Sequence, residues 1–174
     1  MINTCQKNQR SKGRYPIANK IAVFVDVQNI YYTTREAYGR QFNYRAFWQQ
    51  LSKQGEIVVA KAYATHRGDE GQLKFQSALK HIGFTLRLKP YIQRSDGSAK
   101  GDWDVGITID VLDAANEVDT VVLLSGDGDF DQLLDKIIKD CNISAEVYGV
   151  PSLTATSLQQ SASAFHPITE ALLL

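Results

Sequence analysis

The stretch of the chain best suited to chemistry is residues 121–131, VVLLSGDGDFD. Four apolar residues lead into a Ser-Gly pair, and carboxylates then occupy alternate positions at Asp127, Asp129 and Asp131. This pattern predicts a buried strand that breaks into a loop and then opens a helix. Parallel α/β sheets bind ligands just beyond the carboxyl ends of their strands, so these acids should lie at a ligand crevice. Carboxylates this close repel one another unless a cation or a helix N-terminus offsets their charge.

A purely structural role is the alternative for these acids. Asp129 is placed to cap a helix over residues 130–139, because Asp is a preferred N-cap residue. Asp26 likewise precedes Asn29, which is a candidate cap for a helix over residues 30–38. An Asp at a strand end followed by a capping Asn is frequent in α/β proteins for structural reasons alone. Neither stretch by itself separates the two interpretations.

A shared crevice would favour the chemical role. Asp26 ends an apolar run at residues 21–25, and Asp104 begins a predicted helix behind a glycine-containing entry. If the strand at 21–25 neighbours the strand at 120–125, both acids meet Asp127 and Asp129. Three or four carboxylates in one crevice form an all-oxygen site, which suits Mg²⁺ or Mn²⁺ rather than zinc. Such a site can activate a water molecule and neutralise charge on a phosphodiester as it is cleaved.

The elements that must position these acids alternate along the chain. Apolar or alternating runs predict strands at residues 21–25, 57–64, 84–89, 120–125 and 144–150, with helical patterns between them. The expected fold class is therefore α/β, with a mainly parallel sheet wrapped by helices. Residues 1–19 hold four basic and no acidic residues, and are expected to form a flexible basic arm before a single domain at 20–174.

The composition narrows the class of protein. With 174 residues, 44% hydrophobic and 22% charged, the chain has the make-up of an ordinary globular domain. It has no apolar run of membrane-spanning length and no signal-peptide core, which predicts a cytoplasmic protein without a membrane partner. Cys5 and Cys141 are far apart and lack a C-x-x-C spacing, so the sequence suggests neither a zinc site nor a disulfide framework.

Charge is distributed unevenly although the net charge is zero. Residues 1–100 hold 17 Lys and Arg against 6 Asp and Glu, whereas residues 101–174 hold 2 against 13. An acidic centre beside a basic surface suits a metal site acting on a phosphate-bearing polymer, and Arg67 and Arg94 are candidate substrate contacts on that surface. Mutual attraction of the two halves within the fold would explain the same asymmetry.

Three blocks of the sequence resemble a known family. They are FVDVQN at residues 24–29, KGDWDV at 100–105 with Asp110 following, and LSGDGDF at 124–130. Together they resemble the signature blocks of the NYN domain, and more narrowly its bacterial LabA-like branch within the PIN-like nuclease superfamily. The resemblance spans about residues 20–150 and keeps the order of the blocks, which makes it more specific than any single block.

This resemblance implies a PIN-like fold, a three-layer sandwich whose mainly parallel five-stranded sheet has the order 3-2-1-4-5. It also implies a divalent-metal site and endoribonuclease-type hydrolysis of RNA. By position, the catalytic and metal-binding acids would be Asp26, Asp104, Asp127 and Asp129. Three further residues would assist: Asn29 would hold Asp26 or the substrate, Ser125 would orient the loop, and Lys100 would face phosphate. Asp131 and Asp102 are additional acids without an assigned role.

The function predicted from the sequence is a Mg²⁺- or Mn²⁺-dependent ribonuclease, a hydrolase in which metal-activated water attacks the phosphodiester. The alternative is a non-catalytic RNA-binding or regulatory adaptor that retains the fold. A phosphohydrolase of the haloacid-dehalogenase type is disfavoured, because it needs a second Asp two residues after Asp26 and Gln28 stands there. The sequence leaves a homodimer open, since the apolar tail at residues 172–174 could pack on the core or on another subunit.

Overall fold

The computed structural model describes residues 18–66, 68–90, 92–93, 99–100 and 102–174, so the predicted basic arm lies almost wholly outside it. The strands are β1 (Lys20–Asp26), β2 (Glu56–His66), β3 (Thr85–Pro90), β4 (Ile92–Gln93), β5 (Ala99–Lys100), β6 (Thr120–Leu124), β7 (Ser144–Gly149) and β8 (Ala164–Pro167). The α-helices are α1 (Val27–Tyr38), α2 (Tyr44–Leu51), α3 (Glu70–Ile82), α4 (Asp104–Ala114), α5 (Asp131–Cys141) and α6 (Thr156–Ser161). Among these helices none has the length and apolar character needed to cross a membrane.

Six of the strands form one parallel sheet in the order β3-β2-β1-β6-β7-β8. The predicted order 3-2-1-4-5 is confirmed for its first five strands. The neighbour relation on which the predicted site depends is present, because β1 pairs with β6 and Val25 lies opposite Leu124. The acids that follow these two strands therefore emerge side by side. The short strands β4 and β5 pair separately as an antiparallel hairpin.

The prediction of five strands missed β8, which adds a sixth strand at the edge. Its four residues include a proline and no apolar run, so the sequence carries little strand signal. Tertiary contacts hold it instead: the His166 ring stacks on Tyr148 with centroids 4.5 Å apart, and His166 Nε2 lies 2.7 Å from Glu146 Oε2. The strand therefore depends on its neighbour β7 more than on its own propensity.

Helices cover both faces of the sheet and give the predicted three-layer sandwich. Alternate residues of β1 point to opposite faces, as a strand requires. Ile21, Val23 and Val25 join a core with α1, α2 and α3, whereas Ala22 and Phe24 join a second core with α4, α5 and α6. The apolar tail packs on the first core, where Leu172 and Leu173 are buried. The chain segments that carry Asp26 and Asp127 are thus each fixed between a buried strand and a packed helix.

Candidate metal centre

Three carboxylates meet at the carboxyl edge of the sheet. Asp104 lies in the first turn of α4, Asp127 in the loop after β6, and Asp129 in the 3-10 turn that precedes α5. One oxygen of each lies within 4.8 Å of the others. Asp104 and Asp127 are half-buried and Asp129 is exposed, so the group opens to solvent on one side.

The loop after β6 is organised by short-range hydrogen bonds. The Asp127 Oδ1 accepts from the backbone N–H of Asp129 at 3.0 Å, so Asp127 caps the turn and α5 begins only at Asp131. The expectation that Asp129 caps this helix is therefore wrong. Buried Ser125 orients the loop from below, because its Oγ accepts from the Asp127 N–H at 3.2 Å. One carboxylate thus both shapes the turn and faces the crevice.

The N-cap of α1 is Asp26 rather than the predicted Asn29. The Asp26 Oδ1 accepts from the Asn29 N–H at 3.2 Å, so α1 begins at Val27 and Asn29 lies in its first turn. The Asn29 Oδ1 accepts from the Gly126 N–H at 2.8 Å. Asn29 therefore joins the start of α1 to the loop that carries Asp127, and its backbone holds Asp26.

Burial and like charge both act on these acids. The pKa of Asp26 is raised to about 6, chiefly by burial and also by the charges of Asp104 and Asp127, while hydrogen bonds from Asn29 and Ser125 act to lower it. Burial also raises the pKa of Asp104, as does the charge of Asp127. Asp26 is therefore close enough to Asp104 and Asp127 for their charges to act on its carboxylate, although it is not a member of the group of three.

Lys89 supplies positive charge at the entry to α4, and sequence reasoning did not single it out for the site. Its Nζ donates to the Asp102 carbonyl at 2.8 Å and lies 4.3 Å from the centroid of the Trp103 ring. Its charge lowers the pKa of Asp104. Trp103 in turn donates from Nε1 to the Ala64 carbonyl at 3.0 Å, which ties this entry to β2. The alternation of β3 was the available signal, since it predicts that Lys89 lies on a polar face.

Asp110 follows Asp104 by six residues, which places it on a different face of α4, and it lies in a separate polar network. Its Oδ1 lies 2.9 Å from Lys61 Nζ, and its Oδ2 accepts from the Tyr63 hydroxyl at 2.6 Å. Arg87 Nε lies 3.7 Å from the same Oδ2. The Asp110 carboxylate is therefore bound to these three partners and does not belong to the group of three acids.

The remaining residues predicted from the sequence lie outside the group of three acids or outside the described residues. Asp131 begins α5 and is not one of the three clustered acids. Lys100 lies in β5, which pairs with β4. Arg67 and Arg94 lie outside the described residues, so their predicted contacts stay predictions.

The donor set fits a hard divalent cation. All three donors are carboxylates, with no His or Cys among them, which is the ligand chemistry of Mg²⁺ or Mn²⁺. The pKa values of Asp26 and Asp104 are raised first by burial and then by the neighbouring carboxylates, so a bound cation would favour the charged forms of both.

Replacing Asn29 by Ala should destabilise the protein by about 1–3 kcal/mol, because the Gly126 N–H is buried and would lose its acceptor. Urea unfolding measures the free energy of unfolding. The neighbouring Gln28→Ala is the control, and its expected cost is within about 0.5 kcal/mol. Equal stability of Asn29→Ala and the wild type would contradict the bond between α1 and the loop.

Gly126 itself has no room for a side chain. A Cβ atom there would lie 2.6 Å from the Leu153 carbonyl oxygen, a backbone atom that cannot move aside easily. Gly126→Ala should therefore lower the free energy of unfolding by about 1–3 kcal/mol. Gly71→Ala on α3 is the matched control and should be neutral or slightly stabilising, because the nearest atom is 3.4 Å away and alanine favours a helix. Urea unfolding of both variants compares them directly.

Comparison with known proteins gives a similar structure, a similar sequence and a matching family. A protein of unknown function from Vibrio parahaemolyticus has a crystal structure that matches with a TM-score of 0.88 and 49% sequence identity, covering 93% of this chain and 100% of that chain. Low amplitude and bright protein LabA of Synechococcus elongatus is 29% identical over 125 residues, 67% of each chain, which supports the LabA-like branch. The profile of the NYN domain matches residues 20–169, and the chain therefore belongs to the NYN domain family.

Proposed function

We propose that the protein is a Mg²⁺- or Mn²⁺-dependent ribonuclease that hydrolyses phosphodiester bonds of RNA at its acidic crevice. The observation that carries the proposal is the group formed by Asp104, Asp127 and Asp129, with one oxygen of each within 4.8 Å of the others. Its place at the carboxyl edge of a parallel sheet is where α/β proteins bind ligands. Membership of the NYN family supports RNA as the substrate.

The three clustered acids would hold the cation, whose charge would stabilise a phosphorane-like transition state and lower the pKa of a water molecule. The chain's own residues then have distinct tasks. Asp26 ends β1 beside the clustered acids, and its carboxylate is the group that accepts a proton from the attacking water. The Ser125 hydroxyl and the Asn29 N–H hold that carboxylate in place.

Water attacks phosphorus directly in this scheme, and no covalent enzyme intermediate forms. One O–H proton of the water passes to the Asp26 carboxylate as a P–O bond forms to the water oxygen. The P–O bond to the leaving ribose oxygen breaks, and that oxygen takes a proton from solvent. Lys89 lies close enough to Asp104 to lower its pKa, and its positive charge favours the approach of a phosphate to this edge. Lys100, Arg67 and Arg94 are the further residues that we propose as phosphate contacts.

The experiment is incubation of labelled single-stranded RNA, hairpin RNA and DNA of the same sequence with Mg²⁺, Mn²⁺ or EDTA. The proposal predicts RNA cleavage with either metal and none with EDTA. Binding of RNA without cleavage under every condition would contradict it and favour the adaptor function. Cleavage in EDTA would also contradict it, because the acids would then act without a metal.

A further inference from the structure

A second concave site lies beside the acidic crevice. It has a volume of about 440 Å³, within the roughly 300–1,000 Å³ typical of ligand pockets. Its walls come from the first turns of α1 and α3, the end of β2 and the segment before α2. We call it the α1–α3 cleft, and its lining includes Val27, Tyr31, Tyr32, Tyr44, Phe75 and Gln76.

Aromatic rings form much of this cleft and two of them are open to solvent. Tyr31 is 44% and Tyr32 54% exposed, and their rings pack edge to face with centroids 5.3 Å apart. Tyr44 and Phe75 continue the aromatic wall with centroids 5.6 Å apart. Adjacent exposed tyrosines offer flat apolar faces with polar tips, which suits a planar ligand.

A buried amide points to a polar ligand edge in the same cleft. Gln76 is only 6% exposed, and within the described part of the chain its Nε2 has no hydrogen-bond partner. An unsatisfied buried donor costs about 1–3 kcal/mol, so such a group is normally completed by a water molecule or by a ligand. An acceptor atom on a bound molecule would satisfy it.

The cleft lies next to residues that border the acidic crevice. Val27 lines the cleft and directly follows Asp26 in the chain. Burial raises the pKa of the Tyr44 hydroxyl in the cleft, and so does the charge of Asp26, which places the two groups near each other. Ala64 also lines the cleft, and its carbonyl accepts from Trp103, the residue before Asp104.

We propose that the α1–α3 cleft binds one unpaired nucleobase of single-stranded RNA, next to the phosphodiester at the clustered acids. This inference rests on the proposed ribonuclease function. Because the Tyr31 and Tyr32 rings are nearly perpendicular, a splayed base stacks its flat face on Tyr32 and meets Tyr31 beside it, and the base edge offers oxygen or ring-nitrogen acceptors to Gln76. The Arg35 guanidinium, 5.7 Å from the centroid of the Tyr31 ring, adds positive charge at the rim for the backbone.

The test measures binding rather than cleavage. A labelled single-stranded RNA is titrated with the protein in EDTA, followed by fluorescence anisotropy, and each base in turn is replaced by an abasic site. In the wild type, loss of one particular base should weaken binding by about fivefold or more, the effect of losing one stacked base. In Tyr32→Ala and in Gln76→Leu, the same abasic site should change affinity by less than about twofold.

Ile109→Ala is the matched control, because Ile109 is as exposed as Tyr32 but lies on α4 outside the cleft. It should show the wild-type abasic profile. The inference fails if no single base matters to the wild type, or if the abasic penalty persists in both cleft variants. If one base matters for binding but RNA is never cleaved, the cleft binds a base and the ribonuclease proposal is wrong. If RNA is cleaved but no single base matters for binding, the ribonuclease proposal stands and the cleft does not bind a base.

Discussion

Asp127→Asn should lower the rate of RNA cleavage by about a hundredfold or more and leave the protein folded. Asparagine keeps the Oδ1 that accepts from the Asp129 N–H at 3.0 Å, so the turn after β6 is retained. It removes one of the three negative charges that would hold the cation. Single-turnover cleavage of labelled RNA in Mg²⁺ and Mn²⁺ gives the rates, and circular dichroism confirms the fold.

Asp131→Asn is the matched control for this loss of charge. Asp131 lies four residues further along, at the start of α5, and is not one of the clustered acids. Its cleavage rate should stay within about twofold of the wild type, whereas Asp104→Asn should behave like Asp127→Asn. A folded Asp127→Asn variant that cleaves RNA at the wild-type rate would show that the acidic crevice does not take part in catalysis.

Asp26→Asn should stabilise the metal-free protein at neutral pH while impairing cleavage. The pKa of Asp26 is raised from 3.8 to about 6 on folding, so between these values the folded state binds more protons than the unfolded state. The free energy of unfolding therefore falls as pH rises from about 4 to about 6, by up to about 3 kcal/mol, and this loss persists above pH 6. Asparagine cannot ionise, yet its Oδ1 can still accept from the Asn29 N–H.

Urea unfolding in EDTA across pH 4.5–7.5 measures this effect. The variant should exceed the wild type by about 1–3 kcal/mol at pH 7.5, with the difference shrinking toward pH 4.5. Asp69→Asn is the control, because Asp69 is an exposed cap of α3 that accepts from Gln72 N–H in the same way. It should show no comparable gain. A destabilised Asp26→Asn variant at pH 7.5 would contradict the assignment of Asp26 as a carboxylate whose pKa is raised on folding.

The location of the acidic crevice could be predicted because it depends on the two clearest strand patterns in the sequence. The runs at β1 and β6 are fully buried apart from the ends of β1, and their apolar character alone identifies them as central strands. Acids that directly follow neighbouring parallel strands must emerge at one edge. The family resemblance added the strand order, which periodicity alone does not determine.

The local capping could not be predicted, because several suitable residues compete within a few positions. Asp26 and Asn29 are both good N-cap residues, and so are Asp127 and Asp129. Asn29 is not the cap because its Oδ1 bonds to the Gly126 N–H, 97 positions away in the chain. That choice depends on a tertiary contact with no trace in the local sequence.

The α1–α3 cleft was missed for a similar reason. The adjacent tyrosines of α1 and the glutamines four residues apart on α3, Gln72 and Gln76, were visible as patterns. Each pattern is ordinary on a helix surface, and only the packing of α1 against β2 and of α3 against β3 and α2 turns them toward one cavity. The pattern becomes informative only when the exposure of Tyr32 and the burial of Gln76 are known.

The most direct test of the central claim is a Mn²⁺ titration that follows metal binding and RNA cleavage in the same samples. Electron paramagnetic resonance reports free Mn²⁺, and a labelled single-stranded RNA reports the cleavage rate. The acidic crevice predicts that binding and rate rise together in the wild type, and that Asp127→Asn loses both. Saturated Mn²⁺ binding without cleavage, or cleavage before any Mn²⁺ is bound, would contradict a metal-dependent ribonuclease.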